Sequence, residues 1–300
     1  MTTKRKLDCC LCQHNSATVH YQGVIRDGDF GRWTQAEQQV VRCDGCGLVR
    51  LSDNPNSPDY YQSEEYRQAY NGSAVHQDYI RMHDGEQPPR LEHVGIGHFR
   101  DKQVLDFGAG GGAFLDHIKG VAKQTYAIEP FIGYHQALSA RGHQVFSDAH
   151  IAKGQVAEQI DTLVSFGVIE HVDDPLQFLC DAYDLLRPGG KMFLETDNLN
   201  DVLLQLGIPA FEPFFYRTAH LWYFDQASLV RLAQKAGFAD IKVSFRHNFD
   251  LSNALMWARD GKPTGNAKLP LLDERINSAW QDFVIGAGLA DLICVQMVKG

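Results

Sequence analysis

The sequence predicts an α/β protein built on a parallel sheet and preceded by a small cysteine-based module. Three observations carry this. From residue 103 onward short apolar runs alternate with amphipathic stretches, the pattern of βαβ units. The first of these runs leads into the glycine-rich turn of "QVLDFGAGGGAFLDHI". Ahead of it lie two cysteine pairs of identical spacing, Cys9 with Cys12 and Cys43 with Cys46.

At 300 residues the chain has room for one large domain and a small one. Its 44% hydrophobic and 22% charged residues are those of a folded globular protein, which excludes a disordered chain. The net charge of −9 supplies no general field for phosphate backbones, so extended nucleic acid is not expected as the main partner. "MTTKRKLDCC" has no apolar stretch behind its basic residues, and no run approaches the roughly 18 apolar residues that cross a bilayer. The expectation is a cytoplasmic protein with no membrane partner.

Each cysteine pair is Cys-x-x-Cys, with 30 residues between the pairs. Four thiolates so spaced suit one tetrahedral zinc ion, each pair forming a short knuckle. Gly45 and Gly47 would give the second knuckle positive-φ freedom. Two disulfides or four separate buried thiols are the alternatives. The lack of an export signal disfavours the first and the repeated spacing disfavours the second. Cys9 keeps the spacing that Cys10 would spoil, and Cys180 and Cys294 stand in apolar segments and read as core. A module of about 45 residues buries little apolar area, so its folding would depend on the metal. The module is expected over residues 1–55, with a helical linker or cap over 56–95, where "SDNPNSPDYYQSEEYRQAY" turns from Pro, Asn and Ser to Tyr.

In "QVLDFGAGGGAFLDHI" a strand ends in Asp106, the glycines turn, and a helix carries Phe114, Leu115 and Ile118 on one side. Glu129 in "TYAIEP" ends the next strand, 23 residues after Asp106. At that distance a second-strand carboxylate can accept both ribose hydroxyl protons.

"VLDFGAGGGAFL" resembles the first motif of class I S-adenosylmethionine-dependent methyltransferases. The rival, a nicotinamide-dependent dehydrogenase, usually lacks the acid at Asp106, which would repel pyrophosphate but attract the cationic amino group of S-adenosylmethionine. The resemblance implies an enzyme with a Rossmann-like methyltransferase sheet of seven strands, mostly parallel with the last antiparallel. It covers residues 96–300, with insertions at about 199–224 and 250–288. It also implies S-adenosylmethionine as cofactor, with Asp106, Gly108, Ala109 and Gly110 on its methionine part and Glu129, followed by Pro130, on its ribose. Asp148 in "QVFSDAH" stands where a polar side chain reaches the adenine amino group; a turn aspartate is the alternative. Phe166 and Gly167 line the same site at the end of strand four. Pro188 would end the helix that follows, with Gly189 and Gly190 turning the chain into strand five. "ADLICVQMVK" alternates as the antiparallel strand.

"VSFGVIEHV" places Glu170 and His171 after strand four, beyond the carboxyl ends of the strands, where ligands of such sheets bind. His171 can take the proton of an acceptor hydroxyl as its oxygen attacks the sulfonium methyl, with Glu170 orienting His171 or contacting the substrate. Packing beside the cofactor is the alternative. "RTAHLWYF" adds His220. In ubiquinone-pathway O-methyltransferases and small-RNA 2′-O-methyltransferases a Glu-x-x-Glu-His motif binds a divalent metal, and the RNA enzymes add a later His. Glu170, His171 and His220 match three of those positions while Gly167 replaces the first Glu, removing a hard oxygen ligand; a second divalent metal here is the secondary expectation. Tyr216 and Arg217, in the aromatic-dense "GIPAFEPFFYRTAHLWYF", are the candidate substrate contacts. For most of those rings a lid packed on the core, or on the partner in a homodimer, is the alternative.

The leading reading is methyl transfer from S-adenosylmethionine to oxygen of a sugar or other small molecule. It resembles bacterial enzymes that act on surface polysaccharides or secondary metabolites. Sugar C-methylation, an RNA or protein methyltransferase with the zinc module as reader, and a non-catalytic cofactor-sensing binding protein are the alternatives. The acidic balance counts against RNA, and the intact Asp106, glycines and Glu129 count against a non-catalytic role.

Overall fold

The computed structural model describes residues 4–300 apart from 7, 58, 71, 72, 264 and 266. Four strands come first, β1 (Lys4–Lys6), β2 (Ser16–Gly23), β3 (Gln38–Cys43) and β4 (Val49–Leu51), followed by helices α1 (Glu64–Tyr70), α2 (His76–His83) and α3 (Gln87–Val94). The alternating region comprises β5 (Gln103–Phe107), α4 (Ala113–Ile118), β6 (Gln124–Ile128), α5 (His135–Ala140), β7 (Gln144–Phe146), α6 (Ala149–Val156), β8 (Ile160–Phe166), α7 (Pro175–Leu185) and β9 (Leu186–Asp197). Beyond it lie α8 (Val202–Gln205), α9 (Phe211–Phe215), β10 (Trp222–Tyr223), α10 (Gln226–Lys235), β11 (Phe238–Arg246), α11 (Leu251–Asp260), α12 (Glu274–Gly286) and β12 (Leu292–Lys299). Aspartates open several of the helices. Asp148, Asp174, Asp201, Asp250 and Asp273 each accept a backbone N–H in the first turn of α6, α7, α8, α11 and α12.

The seven-stranded sheet has the order β11-β12-β9-β8-β5-β6-β7. Its central pairs, β5 with β6 and β8, β6 with β7, and β8 with β9, are parallel, and the last strand is antiparallel, as the sequence led us to expect. After β7 the chain returns to the far side of β5, so strand order switches between β5 and β8. Ligands of open α/β sheets bind at the carboxyl ends beside such a switch.

The chain forms two units. One comprises Asn56–Glu195, Arg231–Lys242 and Val295–Gly300. Its core gathers Phe99, Val104, Leu115, Ile118, Tyr134, Leu138 and Val164, all buried. A strand covered on both faces must satisfy its polar side chains internally. In β8, Thr162 and Ser165 do so by donating to the carbonyls of His98 and Phe107, both at 2.8 Å. The Pro-Gly-Gly stretch departs from the sequence expectation. α7 stops at Leu185, and β9 starts at once. Leu186 pairs with Ile160, the register then shifts, and pairing resumes at Lys191 with Thr162. Pro188, Gly189 and Gly190 therefore form a bulge inside the strand, where a missing N–H is tolerated. A Cβ on Gly190 would lie 2.8 Å from Arg187 O and 3.0 Å from Ile160 O.

The other unit comprises Met1–Pro55, Thr196–Val230 and Val243–Cys294. It holds a five-stranded sheet of order β1-β2-β3-β4-β10, antiparallel throughout. β10 completes it from far downstream, with Trp222 opposite Arg50 and Tyr223 opposite Val49. Arg26 N donates to Tyr216 O at 3.0 Å and Leu51 N to Leu221 O at 3.0 Å. Ile25, Val40, Val49 and Leu51 are buried in the same unit as Phe211, Phe215, Tyr216 and Tyr223. The four cysteines thus belong to a unit with an apolar core, larger than residues 1–55. No helix among the described residues is long and apolar enough to cross a membrane.

Asp174 accepts from both Leu176 N and Gln177 N, with Pro175 set at the first helical position. Asp174→Ala should lower stability by about 1 kcal/mol in urea unfolding. No change would show that the start of α7 does not depend on its cap.

Candidate functional site

β5 and β6 end side by side, with Asp106 opposite Ala127 and Phe107 opposite Ile128. The turns leaving them share one edge of the sheet. Gly108 N and Ala109 N both donate to Ile128 O, at 2.9 and 3.1 Å, which draws the glycine loop across the end of β6. Gly108 and Gly110 have φ of +90° and +54°, a region closed to most side chains. Space constrains Gly110 as well, since a Cβ there would collide with Tyr79 Oη.

Two buried acids flank this loop. Asp106 is 5% exposed, and burial pushes its carboxyl up to about 7, opposed by Arg90 and reinforced by Glu129. Glu129 is 2% exposed and follows β6 directly. Its Oε1 accepts from Arg67 Nη2 at 2.6 Å and from Phe131 N at 2.8 Å, and its Oε2 accepts from Gly110 N at 2.7 Å. One carboxylate therefore ties α1, the glycine loop and the turn after β6 together. Pro130 follows it, half-buried.

The helices before β5 lie against the same edge. Arg67 on α1 is buried, with its guanidinium near the faces of Tyr66, Tyr79, Phe131 and Tyr134. On α2, His76 Nε2 lies 2.7 Å from Gly111 O. Arg90 on α3 donates through Nε to Glu195 Oε1 at 2.9 Å and covers the ring of Phe166.

On the neighbouring strand β8, Phe166 packs edge-on against Phe114. Gly167, at φ +67°, donates to Glu195 O at 2.9 Å and turns the chain towards Glu170 and His171. Glu170 is buried; His171 is half-buried, with its ring 5.3 Å from that of Tyr61 and 5.7 Å from that of Tyr66. Asp148 stands exposed after β7. Its Oδ1 accepts from Ile151 N at 2.8 Å and its Oδ2 from Ser147 Oγ at 3.0 Å, so it has the local, helix-capping role.

His220, Tyr216 and Arg217 belong to the other unit. His220 is buried with Nδ1 3.3 Å from Asp197 Oδ2, which also takes Arg217 Nη2 at 2.7 Å. Tyr216 corrects the sequence expectation of a substrate contact. It is 1% exposed, and its ring packs against Tyr21, Phe215 and Tyr223 at 4.9 to 5.6 Å, so it serves the core.

In that unit Cys9 Sγ lies 3.5 Å from Cys46 Sγ and Cys12 Sγ 3.5 Å from Cys43 Sγ, all four within 4.8 Å of one another. Metal–sulfur bonds of about 2.3 Å in a tetrahedron imply sulfur separations of about 3.8 Å. The set fits such an ion. No disulfide joins the four sulfurs, and Cys10 stands outside the set. Gln13 N donates to Cys9 O and Gly47 N to Cys43 O, closing the two knuckles. Gly47 has the expected positive φ, +78°. Gly45 does not; it is small because a Cβ would lie 2.8 Å from His14 Cβ and 3.1 Å from Cys12 Sγ, on the opposite knuckle.

A family model described as a methyltransferase domain matches residues 87–243, just over half of the chain. The chain belongs to this methyltransferase family. The methyltransferase is 26% identical over 182 residues to the ubiquinone biosynthesis O-methyltransferase of Aeromonas salmonicida (strain A449), covering 55% of this chain and 76% of that protein. It is 29% identical over 155 residues to the tRNA U34 carboxymethyltransferase of Idiomarina loihiensis (strain ATCC BAA-735 / DSM 15497 / L2-TR), covering 47% of each. It spans about half to two thirds of the length of several other curated relatives. Its fold is shared with an S-adenosylmethionine-dependent methyltransferase from Archaeoglobus fulgidus, at 16% identity and a TM-score of 0.52, covering 78% of this chain and 98% of that one. The methyltransferase is of class I and takes S-adenosylmethionine as cofactor.

The matched residues of the methyltransferase begin with α3, leaving α1, α2 and the four cysteines outside. Arg67, Tyr79 and Arg90 are the site residues that sequence reasoning missed. The signal available for Arg67 was an arginine set among tyrosines in "EEYRQAY".

Asp106 in the methyltransferase titrates near 7 when folded, against 3.8 for an ordinary aspartate. The folded state then binds the proton more tightly, so stability is lost as pH rises from about 4 to about 7. Asp106→Asn should therefore be more stable than wild type by up to about 4 kcal/mol at pH 8, the gain shrinking towards pH 5, in urea unfolding. Equal stability at pH 8 would mean that the carboxylate is not desolvated.

Proposed function

We propose that the chain transfers the methyl group of S-adenosylmethionine to an oxygen of a sugar or another small acceptor, and that the four cysteines hold a structural zinc ion. The observation carrying this reading is the pair of buried acids around one glycine loop, beside the strand that leads to Glu170 and His171. Asp106, once ionised, attracts the cationic amino group, and Glu129 accepts the ribose hydroxyls. S-adenosylmethionine supplies a sulfonium methyl open to in-line displacement. His171 takes the acceptor's hydroxyl proton as the oxygen–carbon bond forms and the carbon–sulfur bond breaks, leaving S-adenosylhomocysteine. Protonation of Asp106 below about pH 7 removes its attraction for the amino group, so binding should weaken as pH falls.

The likeness to a ubiquinone biosynthesis O-methyltransferase supports an oxygen acceptor. An RNA acceptor is the second reading, favoured by the likeness to a tRNA-modifying enzyme and opposed by the net charge of −9. Calorimetry with S-adenosylhomocysteine, followed by mass spectrometry of saccharides, phenols and tRNA incubated with methyl-labelled cofactor, tests both. Absence of binding sinks the enzymatic reading, and label found in tRNA alone replaces the small acceptor.

His171→Ala should lower turnover by roughly 10²- to 10⁴-fold with cofactor affinity little changed. Unchanged turnover would leave His171 a packing residue. For the cysteine cluster, elemental analysis of purified protein should find about one zinc per chain, and Cys43→Ser should lose it and unfold at lower temperature. Wild-type protein without zinc would remove the metal assignment.

A further inference from the structure

A carboxylate offers about four lone-pair sites. At Glu129 three are taken, by Arg67 Nη2, Phe131 N and Gly110 N. A ribose diol needs two acceptor sites, and one is left. The two backbone donors are fixed by the glycine loop and the turn after β6, whereas Arg67 reaches in from α1, a separate seven-residue helix. Its guanidinium is buried, its Nε has no hydrogen-bond partner among the described residues, and four aromatic rings lie around it at 5.1 to 5.8 Å. Glu129 is its one ion-pair partner among the described residues.

We propose that Arg67 is a latch. It holds α1 over the ribose subsite in the ligand-free protein, and the cofactor's diol displaces it from Glu129. This rests on the reading of Glu129 as the ribose acceptor. Separating a buried pair while both charges stay buried is strongly unfavourable. Release therefore carries α1 outward, until the guanidinium meets water or the cofactor's own carboxylate. The same helix bears Tyr66, whose ring lies 5.7 Å from that of His171. A cofactor that moves Arg67 thus also moves a ring beside the candidate base.

The test pairs stopped-flow binding of S-adenosylhomocysteine to wild-type protein and Arg67→Met with a crystal structure of the wild-type complex. With the latch removed, association should be about tenfold faster, because the binding-competent form is no longer the minor one. In the complex the ribose hydroxyls should sit on Glu129 with Arg67 withdrawn. Unchanged or slower association by folded Arg67→Met, or a complex in which Arg67 still contacts Glu129, overturns the latch; if the variant does not fold, the complex decides alone. Wild-type protein that binds no S-adenosylhomocysteine overturns the cofactor reading itself, a result distinct from binding with Arg67 in place.

Discussion

The carboxylate of Glu129 organises the edge of the seven-stranded sheet. It lies where β6 ends, it fixes Gly110 of the glycine loop and Phe131 of the next turn, and it balances the charge of Arg67. A buried acid without such partners would be expelled or neutralised. With them, the loop, the turn and the cap helix share one anchor. The other acid, Asp106, has weaker support, since burial outweighs the opposing influence of Arg90. The two carboxylates at one edge therefore differ: Glu129 is held by three donors, whereas burial pushes the Asp106 carboxyl up to about 7.

Sequence reasoning found what lies close along the chain or at a fixed interval. Asp106, Gly108 and Glu129 are tied to strand ends and a turn, so their spacing carries their geometry. The four cysteines were legible for the same reason, since a knuckle is a local structure. Arg67 was not legible, because nothing in a seven-residue helix says which side faces an acid 62 residues further on. Tyr216 failed in the opposite direction. An aromatic-rich segment predicts buried rings and exposed rings equally well, and only the company of Tyr21 and Tyr223 decides between them.

The Pro-Gly-Gly stretch shows how a correct local reading can be misplaced in the fold. Those residues do break regular structure, but the break falls within β9, and the backbone carbonyls of Arg187 and Ile160 demand the glycine. At the second knuckle the same division appears. Gly47 answers to backbone conformation and Gly45 to the space between two sulfur-bearing turns.

The pairing of β4 with β10 bears on how the protein is made. Residues 49–51 leave the ribosome some 170 residues before their partners on that edge, Leu221, Trp222 and Tyr223. While the intervening chain is synthesised, that edge offers unpaired backbone groups of the kind that recruit a neighbouring strand. The cysteine knuckles, complete by residue 47, can close before the sheet does. An ion held by the four cysteines, as proposed above, would keep β2 and β3 in register during that interval.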